Sequence, residues 1–194
     1  MTTFTLENER VQLLPLTAAH YDILLPLSQE VDLYRYGGSD VSTPEKLRAY
    51  IDIALQAEAH KTAIPFLIYD KHLEAYAGST RFGNIDHTNK VLHIGWTWLG
   101  TRFRGSGLNS NIKYVMLQHA FETMPFEKVA FRIDERNIIS RKAVEKLGAT
   151  QEGILRSHVI TKSGIRRNTV CYGIVKNEWK STKAILRSSA NIIK

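Results

Sequence analysis

Apolar and polar positions recur along this chain in blocks, and each block predicts one element. Residues 10–15 alternate, as a half-buried strand does. Thr17 is placed to cap a helix running to about Ser28. Residues 33–40 carry Gly37-Gly38 and read as a loop. Ser42 or Thr43 then caps a second helix, with Pro44 in its first turn. Leu47, Tyr50, Ile51, Ala54 and Leu55 give that helix one apolar face. Three β-prone runs follow, at residues 63–69, 76–82 and 91–99, parted by turns at 70–74 and 86–89. Leu108, Ile112, Val115, Met116 and Phe121 then repeat at helical spacing, and Pro125 closes the segment. Residues 128–133 predict a strand, and 137–147 a helix with Gly148 in the C-terminal glycine position. Two last strands, 153–161 and 166–175, flank the hairpin signal Lys162-Ser163-Gly164. The order alternates strands and helices, which predicts a single α/β domain with a mixed sheet flanked by helices.

Composition narrows the class. A chain of 194 residues, 43% hydrophobic and 23% charged, suits one globular domain with a sizeable core. The lone cysteine, Cys171, excludes an intrachain disulfide and any thiolate metal cluster, so no metal is expected. No apolar run approaches the ~20 residues of a membrane helix. The first ten residues lack the basic-then-apolar order of a signal peptide, so the expected location is cytoplasmic. The net charge of +7 could serve a nucleic acid, an acidic substrate or a polyanionic cofactor. Nothing resembles a nucleic-acid module, and part of the excess is local. Lys176, Lys180, Lys183, Arg187 and Lys194 face only Glu178. The expected division is a domain over 1–176 and a solvated basic tail over 177–194.

The chemistry concentrates where the third β-prone run meets the long helix. There the chain reads Trp96-Thr97-Trp98-Leu99-Gly100-Thr101-Arg102-Phe103-Arg104-Gly105-Ser106-Gly107-Leu108-Asn109. Glycines at a strand-to-helix turn let backbone N–H groups converge, the helix N-terminus adds its positive end, and the arginines add full charge. Such a loop is an anion site suited to a phosphate or pyrophosphate. A Walker loop would need a Lys-Ser/Thr pair after its second glycine, which is absent. A dinucleotide fingerprint would need a glycine where Ser110 stands.

The run Arg104 to Asn109 resembles the Arg/Gln-x-x-Gly-x-Gly/Ala loop of the GCN5-related N-acetyltransferases, with Asn109 departing from the usual small residue. A second stretch, from Arg136 through Asn137 and Ser140 to Leu147-Gly148-Ala149, is similar to that family's Asn-x-x-Ser/Ala…Lys-x-Gly segment. Together they look most like the branch of the ribosomal-protein N-terminal acetyltransferases. The resemblance implies a sheet whose central strands splay to admit acetyl-CoA. It implies direct transfer of acetyl to a primary amine, on a protein N-terminus or a small molecule. Arg104, Gly105, Ser106, Gly107, Leu108 and Asn109 would hold the pyrophosphate. The strand at Thr97, Trp98 and Leu99 would pair with the pantetheine arm, which Asn137 would also contact. Asn137 can cap a helix and touch the cofactor together, and Trp96 with Trp98 reads as a one-sided apolar pair of the core.

The reaction needs the amine to lose a proton and the thiolate to be stabilised. Many relatives use a tyrosine on the second motif's helix as the acid; Val144 stands there. Ser140 is the nearest hydroxyl and is expected to donate a hydrogen bond to the sulfur. The strand carries His93 where several relatives have a carboxylate base, with Asp86 and Asp134 as weaker candidates; histidine's ordinary pKa of about 6.5 suits such work. Tyr34, Tyr36, Tyr50, Arg156, His158 and Tyr172 are the candidate acceptor-pocket residues. The alternative function is a CoA-binding sensor or partner module with little catalysis.

Overall fold

A computed structural model of the protein describes residues 3–30, 40–161 and 164–189. The loop expected at 33–40 therefore lies outside the described residues up to position 39, as do Lys162, Ser163 and the last five residues.

Eight strands form one sheet among the described residues: β1 (Leu6–Glu7), β2 (Val11–Pro15), β3 (Ile64–Asp70), β4 (Ala75–Asp86), β5 (Val91–Leu99), β6 (Lys128–Asp134), β7 (Thr150–Ile160) and β8 (Arg166–Val175). Their spatial order is β1-β2-β3-β4-β5-β6-β8-β7. Every neighbouring pair is antiparallel except β5 with β6, which are parallel. Among the described residues five α-helices flank the sheet: α1 (Tyr21–Ser28), α2 (Pro44–Ala59), α3 (Leu108–Gln118), α4 (Ile138–Lys146) and α5 (Trp179–Ser189). The mixed α/β sheet read from the sequence is thus the fold, with β1 and α5 added.

Local chemistry explains the element ends. The Thr43 side chain accepts from the Lys46 amide and Pro44 takes the first helical position, so α2 starts where its sequence says. Asn137 accepts from the Ser140 amide and starts α4 in the same way. α3 passes at His119 into a π-helical turn that ends at Thr123, one residue before Met124 turns extended.

The sheet is covered on both faces. On one, Leu47, Tyr50, Ile51 and Ala54 of α2 and Leu24 of α1 pack on Leu67 and Trp98. On the other, Leu108, Ile112, Val115 and Met116 of α3 pack on Val11, Phe66, Phe82, Leu92 and Ile94. Val144 and Leu147 of α4 join this second core, as do Trp179 and Leu186 of α5.

The expected solvated tail needs correction over the described part of it. Trp179, Thr182 and Leu186 are buried at helical spacing. Trp179 Nε1 donates to Glu122 at 2.7 Å, Lys183 pairs with the same carboxylate, and Arg187 Nε donates to the Tyr114 hydroxyl at 3.3 Å. An apolar stripe with a threonine in its middle is a faint signal among so many basic residues. Two of those basic residues hold the helix down.

β4 and β5 approach closely at Gly78, which has φ +148° and faces the Trp98 carbonyl; a Cβ there would overlap that backbone oxygen. Gly78→Ala is expected to destabilise the protein by about 3 kcal/mol or more, since backbone on both strands must shift. Urea unfolding of the two proteins measures this directly.

Candidate functional site

β5 begins as a central strand and ends as a free edge. It pairs with β6 only at Val91–Lys128, Leu92–Val129 and His93–Ala130. Beyond His93, β6 continues against β8 to Asp134, while β5 runs on to Leu99 paired with β4 alone. The two parallel strands therefore splay, and the β6-facing backbone of residues 94–99 has no ladder partner. The divergence starts beside a bulge. Ser79 pairs with Trp98 but Arg81 with Gly95, so Trp96 and Thr97 together oppose Thr80. Trp96 takes φ +51°, a left-handed conformation rare for a bulky residue. Its cost is offset by the Tyr50 hydroxyl, which donates to the Trp96 carbonyl at 3.2 Å and contacts Ser79 Oγ at 3.1 Å.

At the end of β5 the chain makes a one-turn 3-10 helix, Thr101–Phe103, and then the glycine loop. Gly105 and Gly107 have φ +71° and +81°. A Cβ on either would meet nothing within 4 Å, so the space before the loop is open. The residues from Arg104 to Gly107 are exposed, and α3 starts from Gly107 as its N-cap. Arg104 does two things: its Nε donates to the Leu99 carbonyl at 3.0 Å, fixing the loop to the strand end, and its guanidinium stays exposed. Ser106 Oγ donates to the Phe103 carbonyl at 2.7 Å, so this hydroxyl closes the turn. Leu108 is fully buried and anchors the helix; Asn109 is half-buried in its first turn. An open cradle of backbone at a helix N-terminus, with one arginine beside it, fits a pyrophosphate.

The far side of the splay is the start of α4. Asn137 caps that helix, and the Ser140 hydroxyl, half-buried, makes no hydrogen bond among the described residues. Val144, one turn on, is buried in the core, which excludes it from chemistry. Arg141 and Glu145 fasten α4 to β8 by hydrogen bonds to the Tyr172 hydroxyl at 3.0 and 2.6 Å. Tyr172 is fully buried in this way and is a core residue, not an acceptor contact.

Side chains divide across β5. Thr97 faces α3. Its Oγ1 contacts Thr80 Oγ1 at 2.7 Å and accepts from Lys113 Nζ at 2.8 Å. Lys113 is buried, and burial lowers its pKa to about 7. His93 and Trp96 lie on the α2 face with Arg81, since Leu92, Ile94 and Phe82 point to the other core. The Trp96 ring lies over Gly83, where a Cβ would overlap it. Trp98 packs edge-on to Tyr50, 6.4 Å between centroids, and Leu99 lies in the α3-side core, so both offer backbone rather than side chain.

Burial, with the cations of Arg132 and Lys128 on β6, lowers the His93 pKa to about 4. The imidazole is therefore neutral at pH 7, and a titration near 6.5 is not what this residue gives. Asp134 is held by Arg136 through both carboxylate oxygens, at 3.0 and 2.7 Å, and its pKa is lowered. Asp86 is tied to Asn89 in the turn before β5, and its pKa is lowered too. Neither is free to act as a base. His158 contacts Thr169 Oγ1 at 3.0 Å on an exposed strand, where Arg156 is exposed also; Tyr34 and Tyr36 lie outside the described residues.

Sequence reasoning passed over Lys113 and Arg81. Lys113 had a visible signal, a cation next to Ile112 and within the apolar stripe of α3. Arg81 had none, because its burial depends on α2 and the bulge meeting over β4.

The family model of the acetyltransferase (GNAT) domain matches residues 10–150. A Bacillus subtilis (strain 168) protein provisionally named ribosomal N-acetyltransferase YdaF is 29% identical over 117 residues, which are 60% of this chain and 61% of that protein. A solved structure from T. thermophilus, also provisionally named an acetyltransferase, is 32% identical with TM-score 0.84, covering 97% of this chain and 98% of its own. The microcin C7 self-immunity acetyltransferase MccE, solved with acetyl-CoA and AMP, has TM-score 0.77 at 23% identity, covering 87% of this chain and 93% of its own. No helix among the described residues is long and apolar enough to cross a membrane.

Lys113 gives a pH-dependent stability. Its folded pKa lies below the ordinary lysine value, so between pH 7 and about 10.4 the unfolded chain holds a proton that the folded chain has released. Stability should rise with pH across that window. Lys113→Met should remove the rise and add a few kcal/mol at pH 7, read as melting temperature from pH 6 to 10.

Proposed function

The chain belongs to the GNAT acetyltransferase family, and on that premise we propose that it moves acetyl from acetyl-CoA to an amine received on the α2 face of β5. The observation that carries this reading is the continuity of the glycine cradle with a strand edge freed by the splay. One group of the cofactor needs an anion site, and the next needs an extended polar edge to pair with. Here the two follow each other along one stretch of chain.

Acetyl-CoA supplies the activated acetyl group. Arg104 and the backbone of Gly105, Ser106, Gly107, Leu108 and Asn109 hold the pyrophosphate. The backbone of Thr97, Trp98 and Leu99 pairs with the pantetheine arm, and the Asn137 amide reaches it from across the splay. As the amine nitrogen bonds to the acetyl carbon and the C–S bond breaks, Ser140 donates a hydrogen bond to the departing thiolate, which takes its proton from solvent. His93, neutral over the working range, accepts the amine's proton through water and passes it to solvent. Its low pKa makes it a weak base, so it serves amines that arrive partly deprotonated. The acceptor is a primary amine on a small molecule or a protein N-terminus; the likeness to YdaF supports the second, and the acetyl-CoA bound by MccE supports the co-substrate. The chain is read as a cytoplasmic enzyme.

Gly107→Val should abolish acetyl-CoA binding in a folded protein, because a branched side chain at φ +81° strains the loop and fills its mouth. Saturating acetyl-CoA, at about a hundred times its Kd, should stabilise the wild type by roughly 2.7 kcal/mol in a melting scan and leave the variant unmoved. No shift in the wild type would end the reading. A shift without thiol release across a panel of amines would leave a CoA-binding module instead.

His93→Ala should lower kcat/KM by about 10²–10⁴ at pH 7. The wild-type profile should carry the imidazole's inflection at about 4, not near 6.5. Equal kcat/KM per folded molecule in the two proteins would remove His93 from the mechanism.

A further inference from the structure

Arg81 is the one fully buried arginine among the described residues. It stands on β4, is 4% exposed, and its Nε is buried without a hydrogen-bond partner. Among the described residues its guanidinium has neither a hydrogen bond nor an ion pair. Arg10 has an orphaned Nε as well, but its terminal nitrogens hold Asp70 at 2.9 Å and His72 at 2.8 Å. Arg81 instead rests against two rings, 4.6 Å from the Tyr50 centroid and 5.0 Å from that of Trp96.

Ring contacts offset only part of the cost. A desolvated cation–π contact returns only a fraction of what burying an ion costs. Rings also cover the faces of the guanidinium, while its N–H donors lie in the plane and look sideways. Beside those donors there is room. Gly95, opposite Arg81 in the ladder and on the same face, has nothing within 4 Å of where its Cβ would be. His93 lies on the same face two residues back, and Trp96, the bulged residue, follows Gly95 directly. Buried cations are ordinarily paired. An opening with an unpaired guanidinium on one side and the strand bulge on the other suits an anion.

We infer that Arg81 binds a carboxylate of the acceptor, so that the preferred substrate is an amine carrying a carboxylate group. This rests on the acetyl-transfer reading, since the opening is where that reading brings the amine. A carboxylate fits better than a phosphate: one negative charge balances one guanidinium, and a dianion would leave a second charge buried among Tyr50, Trp96 and Gly95. The pair fixes the acceptor's orientation at the bulge, with its amine toward His93.

The test compares matched amines that differ only in the charge. Glycine with glycinamide, β-alanine with β-alaninamide, and glycyl-aspartate with glycyl-asparagine are titrated calorimetrically into wild-type protein loaded with CoA. Aminomethylphosphonate is the phosphate-like arm. At least one carboxylate should bind about 10- to 100-fold more tightly than its amide, the range of a charge-assisted hydrogen-bond pair. Arg81→Met should bring that ratio to near one. Arg81→Lys, which keeps the charge and loses the fork, should lower it at least several-fold and covers the case in which the methionine variant does not fold. Acetyl-CoA melting shifts in each variant separate this question from the cofactor site. Three results would overturn the inference: no pair differing by more than about twofold, a preference that survives both variants, or tighter binding of the phosphonate than of any carboxylate. Loss of the wild-type acetyl-CoA shift would instead strike the acetyl-transfer reading.

Discussion

The departure of β5 from β6 after His93 is the constraint on which the rest depends. A parallel pair normally buries its hydrogen-bonding edges in each other. Here three residue pairs are made and then abandoned, while both strands continue to be held by their outer neighbours. The bulge at Trp96 turns the strand, and Tyr50 on α2 pins the turned peptide. Backbone groups left without a ladder partner are costly unless something replaces it. On the acetyl-transfer reading, that requirement is what the pantetheine arm would meet along the edge of β5, with the adjoining glycine loop as its continuation.

The bulge also sorts chemistry between the two faces of one strand. Towards α3 lies the Lys113–Thr97–Thr80 chain, a buried ammonium held by hydroxyls. Towards α2 lie Arg81, His93 and the ring of Trp96. Strand alternation alone would put Thr97 and Trp96 on opposite faces, but the extra residue sets how far each stands from its neighbours on β4. Arg81 keeps a full positive charge on one face, while Lys113 on the other is only partly protonated near pH 7, and neither has a carboxylate partner among the described residues.

The core residues that frame this site are ordinary in their packing. α3 is fixed by Leu108, Ile112 and Met116, so its N-terminus meets the loop at a set angle. α5, through Trp179 and Leu186, backs α3 from outside, and Glu122 at the π-helical turn receives both Trp179 and Lys183. The basic C-terminal stretch therefore works, over Trp179–Ser189, as a brace for the helix that starts the anion cradle.

The sequence by itself determined the elements and the cradle. Strand alternation, helical spacing, Thr43 and Asn137 at caps, and Gly105 with Gly107 are local signals, each set by backbone geometry within a few residues. The GNAT likeness followed from two such local motifs in order. What only the tertiary structure decided was the ionisation and availability of side chains. His93 was legible as a titratable group on β5, but its shift to about 4 comes from burial beside Arg132 and Lys128 on another strand. Asp134 and Asp86 looked available until their partners were in place. Tyr172 looked like a pocket residue until Arg141 and Glu145 claimed its hydroxyl. Arg81 carries no local signal of its own, because its burial depends on α2 and the bulge meeting over β4. Charge energetics depend on every neighbour within several ångströms, and those neighbours are brought together by folding from positions far apart in the chain.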